Sequence, residues 1–251
     1  MSGAPRTPAD LLAVLAEGAR AVHAALETIG PSERRLPGGR PGQYAFDVVA
    51  DEAVRAVLHG EGLGVLSEES GRSGPDSSLV VVVDPVDGST NAALGIPRYS
   101  TSLCVLDDAG ALAALVVHQV SGVRYHAVRG EGAFRDARPI RPSQTSDMAQ
   151  AVVGISGFPR AHPGWWQYRA LGSASLDMCA VAEGTLDGYR VAGSSTLSVW
   201  DYVAAMLVCT EAGAAVGECD GRDLVVRGPS PRRPAAAATP DLLGRLLAAD
   251  V

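Results

Sequence analysis

The most constraining segment of this chain is Leu79-Val80-Val81-Val82-Val83, an unbroken apolar and largely β-branched run that ends in Asp84-Pro85-Val86-Asp87-Gly88-Ser89-Thr90-Asn91. A strand with one wet face alternates apolar and polar positions, whereas a run with no polar position is buried on both faces. Leu79 to Val83 therefore reads as a strand buried on both faces. The acidic string lies where the strand emerges. Gly88 permits close approach of main chain to a ligand, and Ser89-Thr90-Asn91 opens a helix whose free N–H groups suit an anion. Two carboxylates beside an anion cradle work together when hard divalent cations sit between them, because Mg²⁺ takes oxygen ligands and shares its shell with substrate phosphate.

Around this segment the periodicity predicts helices over 8–29 and 47–59. A short strand at 64–66 runs into Ser67-Glu68-Glu69-Ser70, and strands at 101–106, 112–119 and 123–128 form an antiparallel meander. Segments 31–43 and 71–78 read as Pro/Gly-rich connections. The polar stretch 136–147 places a boundary near 140, dividing the chain into an α+β half (1–140) and an α/β half (141–251). The second half reads as a strand at 151–155, a helix at 173–183, a strand at 186–191 and a helix at 201–212. Strands at 214–217 and 223–226, a loop at 228–240 and a helix at 241–249 complete it.

Composition removes several functional classes. The 21 basic side chains are all Arg, so a Walker-A loop, a pyridoxal Schiff base and a Lys nucleophile are excluded. A formal charge of −7 argues against a nucleic-acid polymer as partner. No apolar run approaches the roughly 20 residues of a membrane helix, and Met1–Asp10 lacks a signal-peptide core; a cytoplasmic protein with no membrane association is expected. Cys104, Cys179, Cys209 and Cys219 show no CxxC spacing and read as reduced core residues.

Two further acidic features matter by position. Glu68-Glu69 follows a strand and offers the third carboxylate that a two-metal site needs beyond Asp84 and Asp87. Asp201, after Trp200, is a good N-cap for the helix that follows, and a capping carboxylate keeps a second oxygen free. Taken in order, Ser67-Glu68-Glu69-Ser70, Asp84 to Asn91, Gly172-Ser173-Ala174-Ser175-Leu176-Asp177, and Trp200-Asp201 with Glu211-Ala212-Gly213 resemble the inositol monophosphatase superfamily of magnesium-dependent, lithium-sensitive phosphatases. The resemblance covers about 17–215.

It implies a layered αβαβα sandwich of the inositol monophosphatase and fructose-1,6-bisphosphatase type, with the site between the two halves. It also implies two or more Mg²⁺ ions, inhibition by Li⁺ and a homodimer. By residue, it implies Glu68, Asp84 and the Val86 carbonyl at one metal, and Asp84, Asp87 and Asp201 at a second. Gly88 and Ser89 would hold phosphate, with Asp87, Thr90, Ser173 and Ala174 adjoining. Apart from the resemblance, Arg190 reads either as serving a second anionic group or as a solvated side chain. Glu68 and Ser89 would join in activating water, with Asp51 as the partner of Ser89 and Asp47 the alternative. The chain departs from animal members in having no Lys near an outer metal site, and in carrying Ser194 where they carry an inositol-contacting Glu. The implied function is hydrolysis of a small-molecule phosphate monoester, such as an inositol, histidinol, sugar or nucleoside phosphate, by attack of metal-activated water. The alternative is a phosphate-ester-binding protein of the same fold with weak or no turnover.

Overall fold

The computed structural model describes residues 6–249. Helices α1 (Pro8–Glu27) and α2 (Ala45–Gly60) open the chain. A larger sheet follows, built from β1 (Gly64–Ser67), β2 (Gly71–Ser73) and β3 (Val80–Asp87), then, past the short helix α3 (Ser89–Leu94), β4 (Ser100–Asp107), β5 (Gly110–His118), β6 (Arg124–Val128), β7 (Gly132–Arg135) and β8 (Arg138–Pro139). The order is β2-β1-β3-β4-β5-β6-β7-β8, with β1 and β3 parallel and the other neighbours antiparallel. After a 3₁₀ turn at Met148–Gln150 come β9 (Val152–Ser156), β10 (Gln167–Arg169), α4 (Ala174–Ala182), β11 (Gly188–Val191), α5 (Val199–Ala212), β12 (Ala215–Glu218), β13 (Pro234–Ala237) and α6 (Pro240–Ala248). The smaller sheet runs β10-β9-β11-β13-β12.

The valine run explains the layering. Val81 and Val83, with Leu103 and Val105 of β4, face α1 and α2 through Leu11, Leu15, Val54 and Leu58. Val80 and Val82, with Cys104 and Leu106, face the other way onto α4 and α5 (Leu176, Met178, Val203, Leu207), which in turn bury Tyr189 and Val191 of β11. Alternate residues of one strand thus enter different cores, and no position is left for a polar side chain. Each such valine gains roughly 1.5–3 kcal/mol from leaving water. Helix α5 is sandwiched between sheets, so it is buried from Tyr202 to Cys209 without a polar stripe. Leu242 and Leu246 of α6 cover Val153 and Ile155 on the outer face of the smaller sheet. The sequence of layers is helix pair, sheet, helix pair, sheet, helix, the αβαβα order implied by the resemblance. The larger sheet ends at Pro139 and the smaller begins at Val152, yet one core runs through both.

Four segments differ from the sequence reading, among them 136–147, read as a connection, where Arg138–Pro139 pairs with β7 as β8. Residues 223–226 form no strand; Leu224 and Val226 pack against the α5 core from irregular backbone, and the Leu224 carbonyl accepts from Tyr202 Oη at 2.7 Å. The alanine-rich part of 228–240 is not loop but β13, wholly buried between β11 and β12. Alanine is a weak strand former, and here pairing on both sides overrides propensity. Residues 71–73, read as part of a connection, pair with β1 as its edge strand β2.

Candidate metal and phosphate site

Asp84 and Asp87 sit an odd number of residues apart, so on a regular strand they would point to opposite faces. The structure removes this obstacle with an irregularity in β3. Asp84 pairs with Ser102 and Asp87 with Ser100, so three residues of β3 span two of β4. Ser100 and Ser102 share a face, and both carboxylates therefore do too. Thr101 Oγ1 holds the irregular segment by donating to the Pro85 carbonyl at 2.8 Å, and Asp84 Oδ1 accepts from Val86 N at 3.0 Å.

Glu68 arrives from the end of β1, its N–H donating to the Val83 carbonyl at 3.1 Å. Asp201 arrives from the first turn of α5, where Oδ2 accepts from Ser198 N at 2.6 Å. Carboxylate oxygens of Glu68, Asp84 and Asp201 lie within 4.8 Å of one another. Burial, then neighbouring carboxylates, push all three upward: Glu68 to about 7, with Glu69, Asp87 and Asp47 adding to burial, and Asp84 and Asp201 well above the ordinary carboxylate range, with Glu68 and Asp87 adding to burial for both. Among the described residues no cationic side chain pairs with any of the three carboxylates; Arg40 donates to the Glu69 carboxylate and to the Glu68 carbonyl. An oxygen-only, uncompensated acidic cluster is the donor set a hard divalent cation requires.

Asp87 is held differently. Its carboxylate caps α4, accepting from Ala174 N (3.2 Å), Ser175 N (2.8 Å) and Ser173 Oγ (2.7 Å), with the Ser175 hydroxyl also bonded to it. Burial raises the Asp87 pKa, and these bonds, with the helix dipole behind them, oppose the rise. Asn91 closes the same seam: Nδ2 donates to the Arg98 and Leu171 carbonyls, both at 2.8 Å. Gly88, the residue before α3, has φ +94°, and a Cβ there would lie 2.8 Å from the Gly172 carbonyl. Only glycine supplies both the left-handed backbone and the space.

Two cavities open on this cluster. One, of about 350 Å³, exposes Asp47, Glu68 and Ser89 and is bordered by Arg40 and Gln43; the other, of about 300 Å³, exposes Asp87 and Asp201. Arg40 donates to Glu69 Oε2 at 2.6 Å, and Gln43 also donates to that oxygen. Neither residue carries a sequence signal, since both lie in the Pro/Gly-rich loop read as a connection.

The sequence pattern of the inositol monophosphatase family matches residues 45–250. The chain belongs to this family. An inositol-1-monophosphatase of Mesorhizobium japonicum is 33% identical over 211 residues, 75% of this chain and 77% of that protein. A protein of Pasteurella multocida named Nus factor SuhB is 34% identical over 194 residues, 70% and 71% of the two chains. The inositol monophosphatase structure from Anabaena (Nostoc) sp. PCC 7120 superposes with a TM-score of 0.73 at 28% identity, covering 94% of each chain.

Two residues land elsewhere than the sequence reading has them. Asp51 does not reach Ser89; its carboxylate accepts from Ser67 Oγ and from Arg55 Nε at 2.7 Å, one turn further along α2 than the site. Asp47 is the carboxylate beside Ser89. Its Oδ2 accepts from Tyr44 N at 2.9 Å, Oδ1 has no direct hydrogen bond, and the Ser89 hydroxyl is near enough to restrain a pKa that burial raises to about 6. Arg190 is buried in β11, and its guanidinium donates to the Leu246 and Ala249 carbonyls at the end of α6, so it serves the fold and not an anionic ligand. Of the remaining expected contacts, Ser89 donates to the Val86 carbonyl at 2.7 Å, Thr90 is exposed on α3, and Ser173 and Ala174 are engaged by Asp87.

Proposed function

We propose that this chain is a magnesium-dependent phosphomonoesterase acting on a small-molecule phosphate. The observation that carries the reading is the group of Glu68, Asp84 and Asp201 oxygens within 4.8 Å, uncompensated and open to two cavities. Glu68, Asp84, Asp201, the Val86 carbonyl and one face of Asp87 are the groups that would hold divalent cations, which when bound neutralise phosphate charge and make water acidic. The start of α3 offers Gly88 and Ser89 to the phosphate oxygens. The Ser89 proton has two acceptors in reach, the Val86 carbonyl and Asp47. Turned to Asp47, the hydroxyl presents its lone pairs to a water and passes that water's proton to the carboxylate, as a general base with a pKa near 6 can accept. The bond from the water oxygen to phosphorus forms as the bond to the alcohol oxygen breaks, and the alcohol leaves with a proton from solvent.

The same reading carries inhibition by Li⁺, a cytoplasmic location and a homodimer, tested by inhibition kinetics, fractionation and sedimentation respectively. Phosphate release from a panel of monoesters, with Mg²⁺ and with EDTA, tests the activity itself, and Asp84→Asn serves as control. Release that requires Mg²⁺ and is lost in the variant is expected. Tight ester binding without release would replace the enzyme by the non-catalytic alternative.

A further inference from the structure

A cavity of about 270 Å³ lies between the second half of α1 and the β5–β6 turn, and it shares no lining residue with the two cavities at the metal cluster. Part of its wall is apolar: Ala16 and Ala19 of α1 and Val117 of β5. Three basic side chains also line it, Arg20 and His23 from α1 and Arg124 from β6. No carboxylate does, in a chain of net charge −7. Arg20 pairs with Glu17, one turn back on the helix, and Arg124 Nε stands 3.8 Å from Asp136. Both pairs are exposed, and exposed pairs are weak, so either guanidinium can turn to a ligand at little cost. Guanidinium groups brought from two elements to one partly apolar cavity suit an oxyanion head on a small apolar body.

The polar side of this cavity is joined to the metal cluster by hydrogen bonds. Thr101 Oγ1 donates its one proton to the Pro85 carbonyl at 2.8 Å, in the irregular segment of β3 between Asp84 and Asp87. Gln119, 2.7 Å from the same hydroxyl, must therefore donate to it through Nε2. That turns Gln119 Oε1 to His23 Nδ1, 3.0 Å away, so Nδ1 carries a proton. Nδ1 is thus bonded inward, and Nε2 is the ring nitrogen left to a ligand. Gln119 is buried, whereas His23 is exposed and can swing away from it. We propose that this cavity is a second ligand site, for a small organic oxyanion with an apolar body, and that its occupancy tightens metal binding at the cluster of Glu68, Asp84 and Asp201. An anion held by Arg20 and Arg124 keeps His23 on Gln119. Gln119 and Thr101 then fix the backbone that aims Asp84 and Asp87. The site stands on its own geometry; the coupling rests on the reading that the cluster takes Mg²⁺.

Calorimetric titration of the metal-free, full-length protein with benzoate, and with benzamide as its uncharged counterpart, tests the site. Without metal the acidic cluster repels anions, so benzoate bound under these conditions reports the cavity at α1. Benzoate should bind about tenfold or more tightly than benzamide. The double variant Arg20→Gln, Arg124→Gln, altered only at exposed positions, should lose that preference and keep its Tm. Titration with Mg²⁺, with and without saturating benzoate, tests the coupling. Mg²⁺ should bind about fivefold or more tightly with benzoate present, and benzoate should gain by the same factor with Mg²⁺ present. The double Arg variant should abolish this gain, which separates it from benzoate seated on the metal itself. His23→Phe, which cannot bond to Gln119, should still bind benzoate through the arginines and lose the coupling. No benzoate binding, binding that benzamide equals, or a preference that survives the double Arg substitution would overturn the site. Benzoate binding that leaves Mg²⁺ affinity unchanged, or a gain that His23→Phe or the double Arg variant retains, would overturn the coupling. Failure to bind Mg²⁺ at all would defeat the metal reading and the coupling together, while benzoate binding to the metal-free protein would still decide the site.

Discussion

Replacing Glu68 by Gln is expected to stabilise the metal-free protein near neutral pH, although it alters a residue at the centre of the candidate site. Burial, then Glu69, Asp87 and Asp47, raise the Glu68 pKa from 4.5 to about 7. A carboxyl whose pKa is higher folded than unfolded holds its proton more tightly in the folded state. Its contribution is therefore favourable at low pH and is lost as the pH climbs from about 4.5 through about 7. At about 1.4 kcal/mol per pH decade, the loss reaches roughly 3 kcal/mol. For a chain of this size, with about 2–4 °C per kcal/mol, that is a Tm difference of about 6–12 °C. Gln preserves the side-chain volume and removes the charge. Thermal unfolding in EDTA, from about pH 5.5 to about pH 8, should show the unaltered protein losing Tm as pH rises while the variant loses less and melts higher at the upper end. Asp47, raised to about 6, leaves part of the slope in both proteins. Mg²⁺ should raise the Tm of the unaltered protein near neutral pH and do so far less for the variant. A variant that melts lower than the unaltered protein across the whole range, or keeps its full slope, would refute the account of an uncompensated cluster.

Four other substitutions separate the site from its supports. Asp47→Asn should cut kcat by about a hundredfold or more without lowering Tm near neutral pH in EDTA, since it removes a buried charge, whereas Asp51→Asn, which loosens bonds to Ser67 and Arg55, should lower Tm by several degrees; a larger kcat loss in Asp51→Asn would reverse the assignment. Arg190→Met should lower Tm by leaving the carbonyls at the end of α6 unpaired, and should leave KM unchanged. Asn91→Ala removes the donor from two carbonyls at the seam, a loss of roughly 2–3 kcal/mol that calorimetry or chemical denaturation would register as about 5–10 °C in Tm.

Much of this was open to inspection in the residue pattern. The helices near 8–29, 47–59 and 201–212 and the meander beginning at 101 all form within a few residues of their expected ends. The first two owe their legibility to an amphipathic period, the other two to continuous apolar runs bounded by turn residues. The strand β13 was invisible for the opposite reason: Ala235, Ala236 and Ala237 have no strand preference of their own and are extended because β11 and β12 flank them. The choice between Asp47 and Asp51 also lay outside any pattern. Both residues are buried on α2, four apart, and which of them meets Ser89 depends on where that helix crosses the irregular end of β3.

The chain alone determined that the valine strand is buried on both faces and the chemical type of the site; the layered order came from the family resemblance. An all-apolar strand must be covered on both sides, and carboxylates placed at strand and helix ends beside a glycine are suited to cations and phosphate whatever surrounds them. Tertiary structure decided the assignments that depend on direction: that Asp84 and Asp87 share a face, that Asp87 caps α4, that Arg190 turns to α6 and away from the cleft, and that the second cavity is walled by Ile155 and Leu197. Those assignments depend on which atoms from distant segments come within 3 Å of one another, and residue spacing along one segment carries no information about that distance.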